Sequence, residues 1–475
     1  MSAALAPASQ AEPSPGPATV DIARFALSGT VPPEVVEQAV PLLLDTIGVM
    51  VAGGAEEQVR RLAASLPVLS GAGGVASLWS EARYRDDDAA LLFGMASHIL
   101  DYDDVSMLAV CHPSVPIVSA LLAGLDGAET SGRAFIEAFA VGTEVLIRLG
   151  QVMGFRHYDL GFHATATLGT IGATAALARL RGLDEARTRH ALAIAASHAS
   201  GVRANFGSMV KSLHVGIAAA NAVRAVRLAV AGIEGAAEPI EGPVGFLHAF
   251  SGGATTAWTP GLSLGQPFAI RDPGFEQKRY PCCYMLHKTI EGTLALRRET
   301  GLDLAAVASV RVDVAKGGTS ALIHPYPKSG LNALFSAPYA ISAALADGRI
   351  DLASFTDEAV LRPHIQRRLT DVTVVESDKA PAQGSDVGGA PVTVTIFPAN
   401  GAPVSRTVTA SPGSLADPIT PEQLRAKWLD CLRRARPDLP SETATALFDE
   451  GTRMPESPGV ARWIENIAGA ISKQK

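Results

Sequence analysis

From Val20 to about Gly265 the apolar positions of this chain recur with a helical period almost without a break. The stretch PPEVVEQAVPLLLDTIGVMVAG begins with Pro32 and Pro33 and closes on glycines. Proline lacks a backbone donor and is tolerated at a helix start, so the pattern predicts a helix with both ends marked. DDAALLFGMASHILDYDD keeps the same period. TLGTIGATAALARLRGLD sets Gly169, Gly172, Ala173 and Ala176 at helical spacing, and KSLHVGIAAANAVRAVRLAVAGI repeats the device. Such stripes of small side chains let a second helix approach closely. No exact internal repeat accompanies them.

The texture changes near Phe268. VASVRVDVAK (Val307–Lys316) and DVTVVES (Asp371–Ser377) alternate with period two, as half-buried strands do. PVTVTIFPANGAPVSRTVTA reads as a hairpin about Asn400-Gly401. Helices are predicted in NALFSAPYAISAALADG and TDEAVLRPHIQRRLTD, and again in TPEQLRAKWLDCLRRA, SETATALFDEG and PGVARWIENIAGAIS. The whole predicts a mainly α fold. A large all-helical domain is built from residues 18–267 and 412–475, with a smaller α+β lid domain, residues 268–411, inserted between them. Residues 1–17, rich in Pro, Ala and Ser, predict a disordered tail.

Composition narrows the function. Hydrophobic residues make up 47% of the 475 positions and charged ones 18%, which supplies a large core. Aromatics reach only 5%, so alanine, leucine and valine must build that core. A net charge of −7 and the lack of a long Lys/Arg run predict no nucleic-acid partner. The four cysteines, Cys111, Cys282, Cys283 and Cys431, form no C-x-x-C pair and are too scattered for a disulfide framework. The start of the chain lacks the basic and apolar runs of a signal peptide, and no apolar run reaches the roughly 18–20 residues that span a bilayer. A reduced, cytoplasmic protein with no membrane partner is the expectation.

Four stretches carry candidate chemistry. HILDYDDVSMLAVCHPS (His98–Ser114) packs three aspartates between two histidines. On a predicted helix His98 and Asp101 share a face, as do Asp101 and Asp104, while Asp103 points elsewhere. Pro113 keeps the helix from running through His112. A metal would need several of these ligands to converge. An Asp-rich helix of the prenyl-diphosphate kind would need another aspartate near Met107 or Leu108, where there is none. The plainer reading is one helix-capping carboxylate with the others facing water. In GFHATATLG, His163 precedes Thr165 and Thr167 at a helix N-terminus, where free N–H groups attract anions; alternatively a threonine caps the helix and His163 is a satisfied loop residue.

In NFGSMVKSLHVG, Lys211 and His214 share a face of an otherwise apolar helix, where a charge must reach water or pair with an anion. QKRYPCCYMLHK gathers Lys278, Arg279, Tyr280, Cys282, Cys283, Tyr284, His287 and Lys288 at the boundary between the two textures. It is either an amphipathic loop with buried thiols or a cationic cluster of the kind a polycarboxylate needs. Taken together, the four stretches predict an anionic small molecule held by lysine and histidine, with Asp/His acid–base chemistry and no metal or cofactor.

The ordered set HILDYDD…HPS, GFHATATLGTIGA, FGSMVKSLHVG, KRYPCCYMLH and ALFSAPYAISAALADG resembles the MmgE/PrpD family, from about Asp21 to the C-terminal helices. That family includes 2-methylcitrate dehydratase, cis-aconitate decarboxylase and iminodisuccinate epimerase. The resemblance implies a homodimer with a metal-free pocket between a helical domain and its lid. It implies Asp101, His112, His163, Lys211 and Lys278 as catalytic residues. Ser106, Thr165, His214, Arg279, Cys283, Tyr284 and His287 are the expected substrate-binding residues around them. Val105 and Ser106 follow the aspartates where threonine is common in the family, Cys283 stands where the decarboxylase pattern has a histidine, and the Asp101-to-His112 interval is one residue longer than that pattern. The function expected is a cofactor-independent lyase of a di- or tricarboxylate, with citrate-like dehydration first. Epimerisation or cis-aconitate-type decarboxylation is the alternative, and a non-catalytic binding scaffold is the rival from another class.

Overall fold

The computed structural model describes residues 17–71, 73–125, 130–254, 258, 263–378 and 387–472. The expected disordered tail, apart from Pro17, lies outside them. The first half is a run of ten helices: α1 (Ala18–Ser28), α2 (Pro33–Gly53), α3 (Glu57–Ser65), α4 (Asp86–His98), α5 (Ser114–Ala123), α6 (Gly132–Asp159), α7 (Ala164–Leu180), α8 (Glu185–His198), α9 (Met209–Val230) and α10 (Phe246–Phe250). A two-stranded ribbon, β1 (Val75–Ala76) and β2 (Arg83–Tyr84), precedes α4. The chain ends in α16 (Pro421–Ala435), α17 (Ser441–Thr452) and α18 (Val460–Ser472). Apolar side chains from both ends of the chain form one continuous core: Leu43 and Ile47 share it with Trp428 and Trp463.

Small residues set how close these helices come. A Cβ on Gly216 of α9 would stand 2.2 Å from the Leu91 carbonyl oxygen of α4, and one on Gly172 of α7 would stand 2.6 Å from the Gly142 carbonyl of α6. Both collisions are with backbone, which cannot step aside, so only glycine permits the contact. The expected small-residue stripes therefore do pack helix on helix. They also bring the C-terminus of α4 and the N-terminal ends of α7 and α9 to one place.

The intervening segment has its own core. Its sheet has the order β4–β3–β5–β6, from β3 (Val307–Ala315), β4 (Val372–Ser377), β5 (Val392–Pro398) and β6 (Val404–Val408). β3 is parallel to β4, with Val310 opposite Val372, and antiparallel to β5, with Val312 opposite Val394. The hairpin forms around Asn400-Gly401, Ile396 opposite Val404, with Gly401 at φ +108°, a conformation that favours glycine. Val310, Val312, Val394 and Ile396 pack against Ile290 and Leu294 of α11 (His287–Thr300) and Ile341 of α13 (Ala337–Asp347); α12 (Gly330–Ala333) is a single turn.

Three sequence expectations need correction. TDEAVLRPHIQRRLTD is not one helix. It breaks into the single turns α14 (Asp357–Val360) and α15 (Pro363–Gln366), because Pro363 has no N–H to continue the ladder. The helix through DYDD also stops early: α4 ends at His98, and Asp101 has φ +48°, so Asp101 does not share a helical face with His98. Finally, α2, α6 and α9 are, by length and composition, long and apolar enough to cross a membrane. Within this fold most of each apolar window is buried, 83%, 78% and 61% respectively, and they carry buried Asp45, Glu144 and Lys211.

Candidate active site

Past His98 the chain turns sharply. Asp101 takes a left-handed backbone conformation, which aspartate tolerates better than most side chains. The turn sets its buried carboxylate against two lysines from different parts of the fold. Lys211, in the first turn of α9, places Nζ 2.6 Å from Asp101 Oδ1. Lys278, on the segment entering the second core, places Nζ 3.2 Å from the same oxygen and donates to the Asp101 carbonyl at 2.8 Å. Burial alone would push the Asp101 carboxyl up, but the two ammonium groups outweigh it and hold it well below the usual carboxylate range.

Asp103 works on a histidine pair. Its Oδ2 is 2.8 Å from His98 Nδ1 and 2.9 Å from His112 Nδ1. Burial pushes the His98 imidazole down to about 4, against the pull of the Asp103 carboxylate. His112 is lowered for the same reason, again opposed by Asp103. Thr165 accepts a hydrogen bond from the His112 backbone N–H at 3.0 Å, which ties this loop to the start of α7. Asp104 accepts from both the hydroxyl and the backbone N–H of Ser114 at the start of α5, but Asp101 and Asp103 are buried rather than facing water as the plainer sequence reading expects. Burial pushes the Asp104 carboxyl up to about 8.

His163 precedes the first residue of α7, with its Nδ1 3.1 Å from Nδ1 of His214. It is stacked against His98 and edge-on to Phe206. Burial, with the nearby His98 and Lys211, lowers it well below an ordinary histidine. It therefore starts unprotonated near neutral pH and is equipped to take a proton.

These groups face a cavity of about 660 Å³ between the two large cores, a volume typical of small-molecule sites. Asp101, His112, His163, Thr165, Lys211, Lys278, Cys283 and Tyr284 line it. The other four expected contacts do not. Ser106 is buried and pairs through its backbone with Cys111. His214 stands behind His163. Arg279 offers its carbonyl to the Tyr102 hydroxyl. His287 is buried beside Tyr280 and Tyr284, and burial pushes it down to about 3. The Cys283 thiol is pushed up to about 11 by burial and Asp101, so it keeps its proton.

The sequence reading missed several lining groups. Arg203 lies in a short turn with no periodicity to mark it; its guanidinium stacks 3.5 Å over the Tyr158 ring and donates to the Tyr158 carbonyl. Phe206, Phe335 and Met107 give the cavity apolar walls, and Lys316 adds a cation. Its charged lining is four cations, Lys211, Lys278, Lys316 and Arg203, against Asp101 and Asp159. That balance suits an anion carrying more than one charge. Asp103, set aside by its helical phase, instead becomes the partner of His112 because the helix ends before it.

Ligand atoms of His98, Asp101, Asp103 and His112 lie within 4.8 Å of one another, close enough to hold a metal ion. The surroundings do not suit one. Asp101 already holds two ammonium groups, and a divalent cation there would meet Lys211 and Lys278 at close range.

Comparison with known proteins gives the geometry a context. The MmgE/PrpD N-terminal domain matches residues 21–259 and the MmgE/PrpD C-terminal domain residues 280–447. Human cis-aconitate decarboxylase is 28% identical over 352 residues, 71% of this chain and 72% of the relative. The Aspergillus terreus cis-aconitate decarboxylase is 27% identical over 360 residues, with 71% and 72% covered. A cis-aconitate decarboxylase-like protein of Aspergillus oryzae is 26% identical over 424 residues, with 84% and 86% covered.

Proposed function

The chain belongs to the MmgE/PrpD family, and from that premise we propose that it is a cofactor-independent lyase acting on a di- or tricarboxylate at a carbon next to a carboxylate. One observation carries the proposal: Lys211 and Lys278 share a single buried carboxylate, Asp101, on the wall of a cation-rich cavity that also holds His112 and His163. Removing a proton beside a carboxylate builds negative charge on that carboxylate. Two fixed ammonium groups stabilise such charge without reorganising, an effect worth roughly 10²–10³ in rate per donor. Asp101 holds the two lysines in place.

The histidines divide the proton work. His163 has no carboxylate partner and is unprotonated near neutral pH, so the base role falls to it. His112 has Asp103 at its Nδ1, which favours the imidazolium, so it is the proton donor. In a citrate-like dehydration His163 takes the proton next to the carboxylate, the C–O bond breaks, and His112 delivers a proton to the departing hydroxyl, which leaves as water. A His163 that begins unprotonated favours this proton-abstracting course, and so does Cys283, which departs from the decarboxylase pattern.

A second reading has an observation of its own. The relatives named above are cis-aconitate decarboxylases. In that course CO₂ leaves, the electron pair stays on the adjacent carbon, and His112 protonates it. We further propose a cytoplasmic homodimer, the dimer being what the family resemblance implies.

The test is to incubate the protein with citrate, 2-methylcitrate, cis-aconitate and iminodisuccinate and follow products by NMR together with CO₂ release. An unsaturated acid formed without CO₂ supports dehydration. CO₂ from cis-aconitate moves the assignment to decarboxylation, and inversion of iminodisuccinate to epimerisation. No turnover of any of the four sinks the proposal.

A further inference from the structure

The carboxylate and one ammonium of the site come from two segments that cross between the cores. Residues 101–105 leave α4, and residues 276–279 lead into the second core. They run antiparallel: Val105 and Glu276 exchange both backbone hydrogen bonds at 2.9 Å. Lys278 reaches back to the Asp101 carbonyl, and the Tyr102 hydroxyl donates to the Arg279 carbonyl.

A third element closes this crossing from behind. Lys427, on α16, is fully buried and does not line the cavity. Its Nζ lies 2.6 Å from Asp45 Oδ1 on α2. It donates to the Tyr102 carbonyl at 2.7 Å and to the Lys278 carbonyl at 2.8 Å, and sits 3.8 Å from the centre of the Tyr102 ring. Two of its N–H donors are thus spent on those carbonyls, and the Asp45 carboxylate stands beside it as counter-ion. Gln277 completes the join, donating to Asp45 Oδ2 and to the Pro41 carbonyl.

Holding α2 against α16 does not require this ion pair. The two helices already pack through Gly48, which faces the Trp428 ring. A buried ion pair commonly recovers no more than its own desolvation, and apolar side chains of similar size serve as well or better. What apolar side chains lack are donors for two carbonyls. Those carbonyls belong to Tyr102, the residue after Asp101, and to Lys278 itself.

We propose that Lys427, with Asp45 as its counter-ion, is a positioning residue: it fixes the backbone of Tyr102 and Lys278 and so holds the Asp101 carboxylate and the Lys278 ammonium in register without touching substrate. The inference rests on reading Asp101 and Lys278 as groups of the reacting site.

The test compares wild type with the double variant Asp45→Leu/Lys427→Met, which removes both charges and keeps the bulk. The double variant is expected to be folded with a near-normal Tm, yet to lose roughly 10-fold to 10²-fold in kcat with a smaller change in KM, the scale of a displaced reacting group. Adding Lys278→Ala to it should cost far less than in wild type, since Lys278 is already misplaced, whereas adding Lys211→Ala should cost nearly its full effect. A folded double variant with wild-type kcat and an undiminished Lys278→Ala effect overturns the proposal. Should that variant not fold, Asp45→Asn/Lys427→Gln, which keeps an amide donor, takes its place with a milder loss expected. A second readout needs no turnover: amine labelling of buried Lys278, read by mass spectrometry, should speed up several-fold in the variant. Failure of the wild type on every polycarboxylate removes the functional reading alone, and an unchanged labelling rate removes the positioning role alone.

Discussion

The Lys211 ammonium lies 2.6 Å from the Asp101 carboxylate, both side chains being less than a tenth exposed at the edge of one cavity. Lys278 approaches the same oxygen from the opposite core. In Lys211→Ala, kcat/KM should fall at least roughly 10²-fold, because the remaining ammonium must serve both Asp101 and the substrate. Asp101, left with one partner, should titrate higher than in wild type. Steady-state kinetics on the identified substrate check the first point, and rates near wild type would remove Lys211 from the site.

Asp103 raises the basicity of His112, and burial lowers it. Asp103→Asn leaves only the lowering influence. If His112 must carry a proton, the alkaline limb of kcat/KM moves to lower pH in this variant, with a loss at pH 7 of at least about 10-fold, toward the lower end of general-acid effects. A pH–rate profile decides it. An alkaline limb that stays in place would mean that another group donates.

Asp104 gives a stability signature of opposite sign to that of an ordinary salt-bridged carboxylate. Its folded pKa is raised to about 8, against 3.8 when unperturbed. Between those values the folded chain keeps a proton that the unfolded chain has released. The contribution of Asp104 is therefore full below about pH 4 and is lost as pH rises through 8. Asp104→Asn, which stays neutral, should gain in Tm relative to wild type as pH goes from 6 to 9. Thermal melts across that range check it, and a constant or reversed difference would mean that Asp104 is ionised in the fold.

The cluster of His98, Asp101, Asp103 and His112 has the reach of a metal site, yet two lysines occupy its carboxylate. Activity should be unchanged after EDTA treatment and should not rise on adding zinc or magnesium. A chelator-sensitive activity restored by one of these ions would contradict the charge argument.

Much of this was legible from the chain itself. The glycine stripes announced close helix contacts, and Gly172 and Gly216 make them. Period-two runs found β3, β4 and the hairpin: β3 and β5 bury alternate residues on one face, and β4 pairs alongside β3. Lys211 stood out because a charge on an apolar helix needs a partner, and Asp101 is that partner. What periodicity could not show was where it stops. Helical phase was carried through Asp101 to Asp104, but α4 ends at His98, so Asp103 was turned away from the site it serves. Arg203 and Lys427 were also missed. The first lies in an aperiodic turn, and the second sits on an amphipathic helix where lysine ordinarily faces water.

The central claim is that His163 takes a proton from a carbon held beside the two lysines. Its most direct test is solvent-deuterium exchange into citrate or 2-methylcitrate in D₂O, with wild type and His163→Ala compared by NMR. The account predicts deuterium at the carbon next to a carboxylate with wild type, slowed at least roughly 10²-fold in the variant. Product formed by wild type without exchangeable hydrogen loss, or equal exchange by both proteins, would contradict it.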